Sequence, residues 1–152
     1  MFASFWRFLH LSKLFQLKLM RVLNDEFLVG VTGVVFNKQD QVLLFKHTYR
    51  QTKWSLPGGY LKAKEHPSEG LEREIGEESG FTVSADQILK VRTDRETGRL
   101  DMCYLAEFIG GEFTPSKEVS EYKFFSFDEL PHIFPDQVLL IHDALKRRKQ
   151  RN

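Results

Sequence analysis

Cysteine is all but missing from this chain of 152 residues: Cys103 stands alone, so no intrachain disulfide can form. That usage fits a reducing cytoplasm, and a lone cysteine inside the apolar run 100–109 reads as a small core residue. Also lacking is an uninterrupted apolar stretch that could span a bilayer. Arg7, Lys13 and Lys18 break the segment 1–23, and no small-residue cleavage site follows it. This argues against both a spanning helix and a signal peptide. There is no internal repeat and no low-complexity linker. Net charge is small, +1, but unevenly spread. Residues 1–22 and 146–152 hold nine basic residues and no acid, leaving 13 basic residues against all 21 acids in between. The middle of the chain is therefore acidic, which argues against a broad nucleic-acid surface there and suits a site that gathers cations.

What is present is ample core material: 41% hydrophobic residues, with 14 phenylalanines, enough for one packed domain. Residues 1–23 read as an amphipathic helix. Phe5, Phe8, Leu9, Phe15 and Leu19 share one broad face, and Arg7, His10, Lys18 and Arg21 the other. Three partners suit such a helix: its own domain, a second subunit in a homodimer, or an anionic membrane surface met peripherally.

From Phe27 the pattern turns to strands. Segments 27–37 and 41–47 flank the polar turn Lys38-Gln39-Asp40 and read as a hairpin. Trp54–Leu56 is short and extended and ends at Pro57-Gly58-Gly59. Pro67–Ser79 predicts a helix, with Pro67 in its first turn and Gly80 as its C-terminal cap. Segments 81–93, 100–109 and 121–127 predict further strands, with Gly110-Gly111 as a break. Asp136–Arg148 predicts a closing helix whose basic end suits its dipole. Strands mixed with a few helices around one core imply an α/β (α+β) layered domain.

The chemistry is concentrated in Gly59–Phe81. Glu74, Glu77 and Glu78 sit at i, i+3 and i+4 and so point to one helix face. Three carboxylates there repel one another unless a counter-charge compensates, and a hard divalent cation held by oxygen ligands does so. Mg²⁺ is expected, with Mn²⁺ as the alternative, because it commonly joins protein carboxylates to phosphates. Glu65 in the preceding loop can reach the same site. Leu71 and Ile75 form the adjacent apolar face, Glu69 and Glu72 point away to solvent, and Arg73 lies where it can orient a carboxylate. Gly70 and Gly76 each cost about 1 kcal/mol relative to alanine in a helix. Gly70 falls on the acidic side, where a side chain would obstruct a phosphate, and nothing in the sequence accounts for Gly76.

The same stretch resembles the Nudix box: a glycine, an intervening loop with its glutamate, then Arg-Glu-apolar-any-Glu-Glu-any-Gly-apolar. Gly59, Glu65, Arg73, Glu74, Ile75, Glu77, Glu78, Gly80 and Phe81 fill every specified place, with Phe81 aromatic where an aliphatic residue is commoner. The resemblance implies a Nudix-like α/β/α sandwich with a mixed sheet over residues 24–152, the helix 1–23 lying outside it. It implies a hydrolase in which water attacks phosphorus and a phosphate-bearing group departs. Glu74, Glu77 and Glu78 would be the metal ligands, with the Gly59 carbonyl. Glu74 or a carboxylate beyond the box would be the general base. Glu118 and Glu121 are the candidates beyond it, Glu118 being favoured.

Around the box, Lys46, Arg50 and Lys53 are placed to contact phosphates, with Arg73 as a further contact. Tyr49 or Trp54 suits stacking on a base, and Arg92, Arg95 and Arg99 are additional cations. Where one common type of ADP-ribose hydrolase carries a proline after its box, this chain has Thr97. The expected substrate is a nucleoside diphosphate linked to another group, of the NDP-sugar or ADP-ribose type. The alternatives are a (d)NTP pyrophosphatase, an RNA 5′-pyrophosphohydrolase, to which the basic termini lend slight support, and a non-catalytic nucleotide-binding module.

Overall fold

A computed structural model describes residues 12–24, 26–49, 53–95 and 97–151. In chain order these form α1 (Lys13–Leu23), β1 (Leu28–Phe36), β2 (Val42–His47), β3 (Trp54–Ser55), β4 (Gly58–Tyr60), α2 (Pro67–Ser79), β5 (Phe81–Asp94), β6 (Arg99–Gly111), β7 (Val119–Phe125), a 3-10 turn (Phe127–Glu129) and α3 (Pro135–Arg151).

The strands make one mixed seven-stranded sheet ordered β3-β2-β1-β6-β5, with β4 paired to β1 and β7 to β2. β1 and β6 run parallel; the other pairs are antiparallel. Successive strand residues face opposite sides, so β1 feeds two cores at once. Val34 and Phe36 pack with Leu140, Ile141 and Ala144 of α3. Val31 and Val35 pack with Leu71 and Ile75 of α2. A sheet covered by a helix on each face is the expected α/β/α sandwich, and the buried, valine-rich β1 is its centre.

Several boundaries differ from expectation. The pair Gly58-Gly59, read as the end of the extended segment Trp54–Leu56, forms β4, which lies so close to β1 that a Cβ on Gly58 would stand 2.2 Å from the Val31 carbonyl oxygen. β6 runs through Gly110-Gly111, which pair with Thr82 and Phe81 instead of breaking the strand. β7 starts two residues earlier than predicted, at Val119, so that Phe127 falls in the 3-10 turn. The basic end of α3 is tied to the sheet. Arg147 donates to the carbonyls of Ile88 and Leu89, while Arg148 pairs with Asp40 and Glu107.

Within the predicted helix 1–23, residues 1–11 lie outside the described residues. The described helix starts at Lys13, with Ser12 as N-cap accepting from the Phe15 N–H. None of its residues is buried; Leu14, Phe15, Leu17, Met20, Val22 and Leu23 are exposed. Among the described residues, then, α1 buries no side chain against the domain. Among the described residues no helix is long and apolar enough to cross a membrane.

Candidate active site

The site is built on α2, whose ends are fixed by local chemistry. The His66 imidazole accepts from the Ser68 N–H, and Glu69 returns a bond to the His66 N–H at 3.2 Å, closing a capping box. Pro67 occupies the first turn. Gly80 ends the helix with φ 77°, a left-handed conformation that glycine adopts without strain. Leu71 and Ile75 are fully buried against the sheet, which fixes the helix's rotation and turns Glu74 and Glu78 toward β4.

Arg73 organises the carboxylates. Its Nε donates to Glu65 at 2.6 Å. Nη1 donates to Glu74 at 2.7 Å and Glu77 at 3.1 Å, and Nη2 to Glu65 at 3.0 Å and the Tyr60 carbonyl at 3.1 Å. All five guanidinium hydrogens are thereby used, and none is left for a phosphate. The sequence reading of Arg73 as a phosphate contact gives way to its other role, holding carboxylates in place. Lys62 adds a second cation to Glu77 at 3.2 Å.

These contacts set the charges. The Arg73 hydrogen bond, helped by the Lys62 N–H, holds the Glu65 carboxyl down to about 2. The Lys62 ammonium lowers Glu77, and the Glu65 hydrogen bond raises Arg73. A carboxyl depressed in the folded state contributes stability above its unfolded value, which is about 4.3 for Glu. That stability is lost as pH falls through the folded value. The melting-temperature gap between the wild type and Glu65→Gln is therefore expected to be full at pH 5 and to close towards pH 2, as a calorimetric pH series would show.

The glycines of the motif act through space. A Cβ on Gly59 would lie 2.4 Å from Cδ and 2.5 Å from Oε2 of Glu74, so the absent side chain lets the carboxylate reach the β4 backbone. On Gly70 a Cβ would stand 2.2 Å from Leu61 Cδ2 and 2.9 Å from Glu65 Oε2. Gly70 makes room for these two side chains, and not for a phosphate as its place on the acidic side suggested. At Gly76 a Cβ meets only the Phe81 carbonyl oxygen, at 3.6 Å, so space does not explain that glycine either. Glu72 is not solvated as expected: it accepts from the Ala85 N–H at 2.8 Å and ties α2 to β5.

Glu74, Glu78, Gly58 and Gly59 line one side of a cleft of about 610 Å³. Glu118, Tyr49, Phe134, Gln137, Arg92 and Arg99 line the rest, with Tyr60, Thr32 and Leu56. A smaller hollow of about 220 Å³ joins Glu118 to Glu74, Glu77 and Glu78. The structure thus brings the box glutamates and Glu118 together, and places Glu121 elsewhere, paired with Lys46 at 2.6 Å. Lys46 lies over the Trp54 ring, and Trp54 packs edge-on against Phe125 in the core, so neither lines the cleft. Lys53 and Arg95 do not line it either, and Arg50 lies outside the described residues.

The wall made by Arg92 and Arg99 around Asp101 is more developed than the sequence suggested. Asp101, 3% exposed, accepts from Thr32 Oγ1 at 3.1 Å, Arg92 Nε at 2.9 Å and Arg99 Nη2 at 3.1 Å. Burial pushes its carboxyl up, but Arg99 and Arg92 outweigh that and hold it below the usual range. Cys103 sits behind it in the core; burial and the Asp101 charge push the thiol up to about 12, so the core reading of this cysteine agrees with an unreactive thiol.

The donor set fits a hard divalent cation. Glu74, Glu78 and the Gly59 backbone meet at one side of the cleft, Glu77 borders the adjoining hollow, and every side-chain donor is a carboxylate oxygen. With Arg73 and Lys62 as counter-ions, no three His, Cys, Asp or Glu side chains among the described residues converge in metal-holding geometry.

A NUDIX domain family model matches residues 26–148. An ADP-ribose pyrophosphatase from Methanocaldococcus jannaschii is 29% identical over 124 residues, covering 78% of this chain and 73% of that protein. A MutT-like protein from Streptomyces ambofaciens is 30% identical over 102 residues, covering 67% of this chain and 66% of its own length, just under two thirds. The crystal structure of an ADP-ribose pyrophosphatase from Streptococcus suis superposes with a TM-score of 0.68 at 26% identity, covering 80% of this chain and 93% of that one. The match spans both cores and the whole acidic helix, and the chain therefore belongs to the NUDIX family of hydrolases.

Proposed function

We propose that this hydrolase cleaves a phosphoanhydride bond in a nucleoside diphosphate linked to another group, of the NDP-sugar or ADP-ribose type, in a reaction that depends on Mg²⁺ or Mn²⁺. The observation that carries the reading is the cleft itself. Its acidic α2 side suits a cation that meets phosphates, and its facing wall carries Arg92 and Arg99. The two related proteins described as ADP-ribose pyrophosphatases support the same substrate class.

Glu74, Glu77, Glu78 and the Gly59 carbonyl would hold the metal, which when bound supplies positive charge to the pyrophosphate oxygens. Arg73 fixes the orientation of Glu74 and Glu77, and Glu65 braces Arg73 in turn. Glu118 is the general base of this reading. It borders both the cleft and the hollow of the box glutamates, where it can accept a proton from water attacking phosphorus. Tyr49 and Phe134, both exposed at the cleft, offer apolar faces to a base. Release of a nucleoside monophosphate from such a substrate, dependent on divalent metal, tests this reading.

For the N-terminal segment we propose peripheral contact with an anionic membrane. α1 keeps its apolar side chains exposed and carries Lys13, Lys18 and Arg21 with no acid. The same cations would repel those of an identical helix, which favours a lipid surface over a second subunit. Binding to vesicles rich in phosphatidylserine is expected at low salt, weakening as salt rises and disappearing when residues 1–23 are deleted. Sedimentation that shows no binding at low salt would remove this proposal.

A further inference from the structure

Past the two arginines the cleft adjoins a side pocket of about 260 Å³ lined by Arg92, Thr93, Asp94, Arg99, Asp101 and Asp136. Arg92 and Arg99 border both spaces and so stand at the junction between them. Three elements build the pocket: β5 gives Arg92, Thr93 and Asp94, β6 gives Arg99 and Asp101, and the first turn of α3 gives Asp136.

The polar groups divide into support and surface. Asp101 is buried and its oxygens are taken by Thr32, Arg92 and Arg99, so it positions the arginines and has no capacity for a ligand. Arg99 lies 5.2 Å from the centre of the Tyr60 ring and over Gly30, where a Cβ would stand 2.7 Å from its Nε. The glycine on β1 thus makes the space this guanidinium occupies. Arg92 reaches across to Asp136 Oδ2 at 2.5 Å. The Asp136 side chain is 56% exposed, and Oδ1 accepts no hydrogen bond among the described residues.

We infer that this side pocket receives the terminal, hydroxyl-rich unit of the substrate, a neutral sugar carried on the second phosphate, and that it turns a further phosphate away. The inference rests on the assignment of the pyrophosphate to the acidic side of the cleft and deepens it. Charge decides the matter: two guanidinium groups face three carboxylates, a net −1. A third phosphate would bring its charge beside Asp94 and Asp136 while the arginines are already engaged by Asp101 and Asp136. A sugar finds both partners it needs. Its hydroxyls donate to Asp136 Oδ1 and accept from the Arg99 Nη1 N–H groups and the Thr93 hydroxyl.

The test is calorimetric binding to the full chain with Mg²⁺, using the α,β-methylene analogues of ADP-ribose, ADP and ATP. The ADP-ribose analogue is expected to bind about ten-fold tighter than the ADP analogue, the gain from one charge-assisted hydrogen bond, and the ATP analogue no tighter than the ADP analogue. Asp136→Asn is expected to erase most of the sugar's margin, leave the ADP analogue unchanged and tighten the ATP analogue. A purely structural role for Asp136 would weaken all three alike and overturn the inference, as would tightest binding of the ATP analogue by the wild type. Release of AMP from unmodified ADP-ribose is followed in parallel. Sugar-dependent binding without turnover would remove the hydrolase reading and keep the pocket. Turnover without a sugar margin would do the reverse.

Discussion

Arg73→Met is expected to lower kcat/KM by about 10- to 100-fold, the usual cost of losing a group that orients metal-binding side chains, and to lower Tm in the absence of metal. The guanidinium touches Glu65, Glu74 and Glu77 and the Tyr60 carbonyl at once, so its removal frees three carboxylates together and, among the described residues, leaves Lys62 paired with Glu77. Their mutual repulsion then falls on the folded state. Because the defect is uncompensated negative charge, Mg²⁺ should raise the Tm of the variant more than that of the wild type, a contrast that a simple packing defect would not give. Arg73→Lys should fall close to the methionine variant, since one ammonium cannot reproduce a fork that serves four acceptor groups. A thermal-shift titration with Mg²⁺ beside steady-state kinetics checks both.

The second large effect is expected at Glu118. Glu118→Gln should lower kcat by about 10²- to 10⁴-fold, the range a positioned general base contributes, with KM little changed. Glu121→Gln serves as the contrast. Glu121 sits on β7 in an exposed pair with Lys46, away from the cleft lining, and exposed pairs of this kind contribute about 0–1 kcal/mol. Near-normal kcat for Glu121→Gln with a collapsed kcat for Glu118→Gln assigns the base to Glu118. Equal, small effects would return that role to Glu74.

How far the molecule was legible in its sequence follows from what each feature depends on. The limits of α2 depend on Pro67 and Gly80, local signals that need no partner, and they fell where expected. The continuous, valine-rich apolar run of β1 is that of a buried strand, and the strand is buried along most of its length. β4 was missed because Gly58 and Gly59 carry no side-chain pattern; their role is a close approach to Val31 that only the folded chain reveals. The acidic face of α2 was readable from helical periodicity, whereas the saturation of Arg73 was not, since it needs Glu65 and Tyr60 brought back over the helix by the loop. Asp101 escaped notice entirely. It meets Arg92 through the antiparallel register of β5 and β6, and Thr32 from β1, and no spacing along the chain encodes that meeting. Lys46 failed to reach the cleft for the same kind of reason, because β2–β7 pairing sets Glu121 beside it.

Metal-dependent hydrolysis by the box glutamates of α2 is checked by assaying phosphate and nucleotide release. The substrates are nucleoside diphosphate sugars, ADP-ribose, dNTPs and triphosphorylated RNA, with Mg²⁺, with Mn²⁺ and with chelator, beside the Glu77→Gln, Glu78→Gln double variant. Cleavage of the diphosphate-linked compounds is expected, abolished by chelator and absent in the folded double variant. Cleavage that survives chelator or the double substitution, or no cleavage of any substrate by folded protein supplied with metal, would contradict metal-dependent hydrolysis by these glutamates.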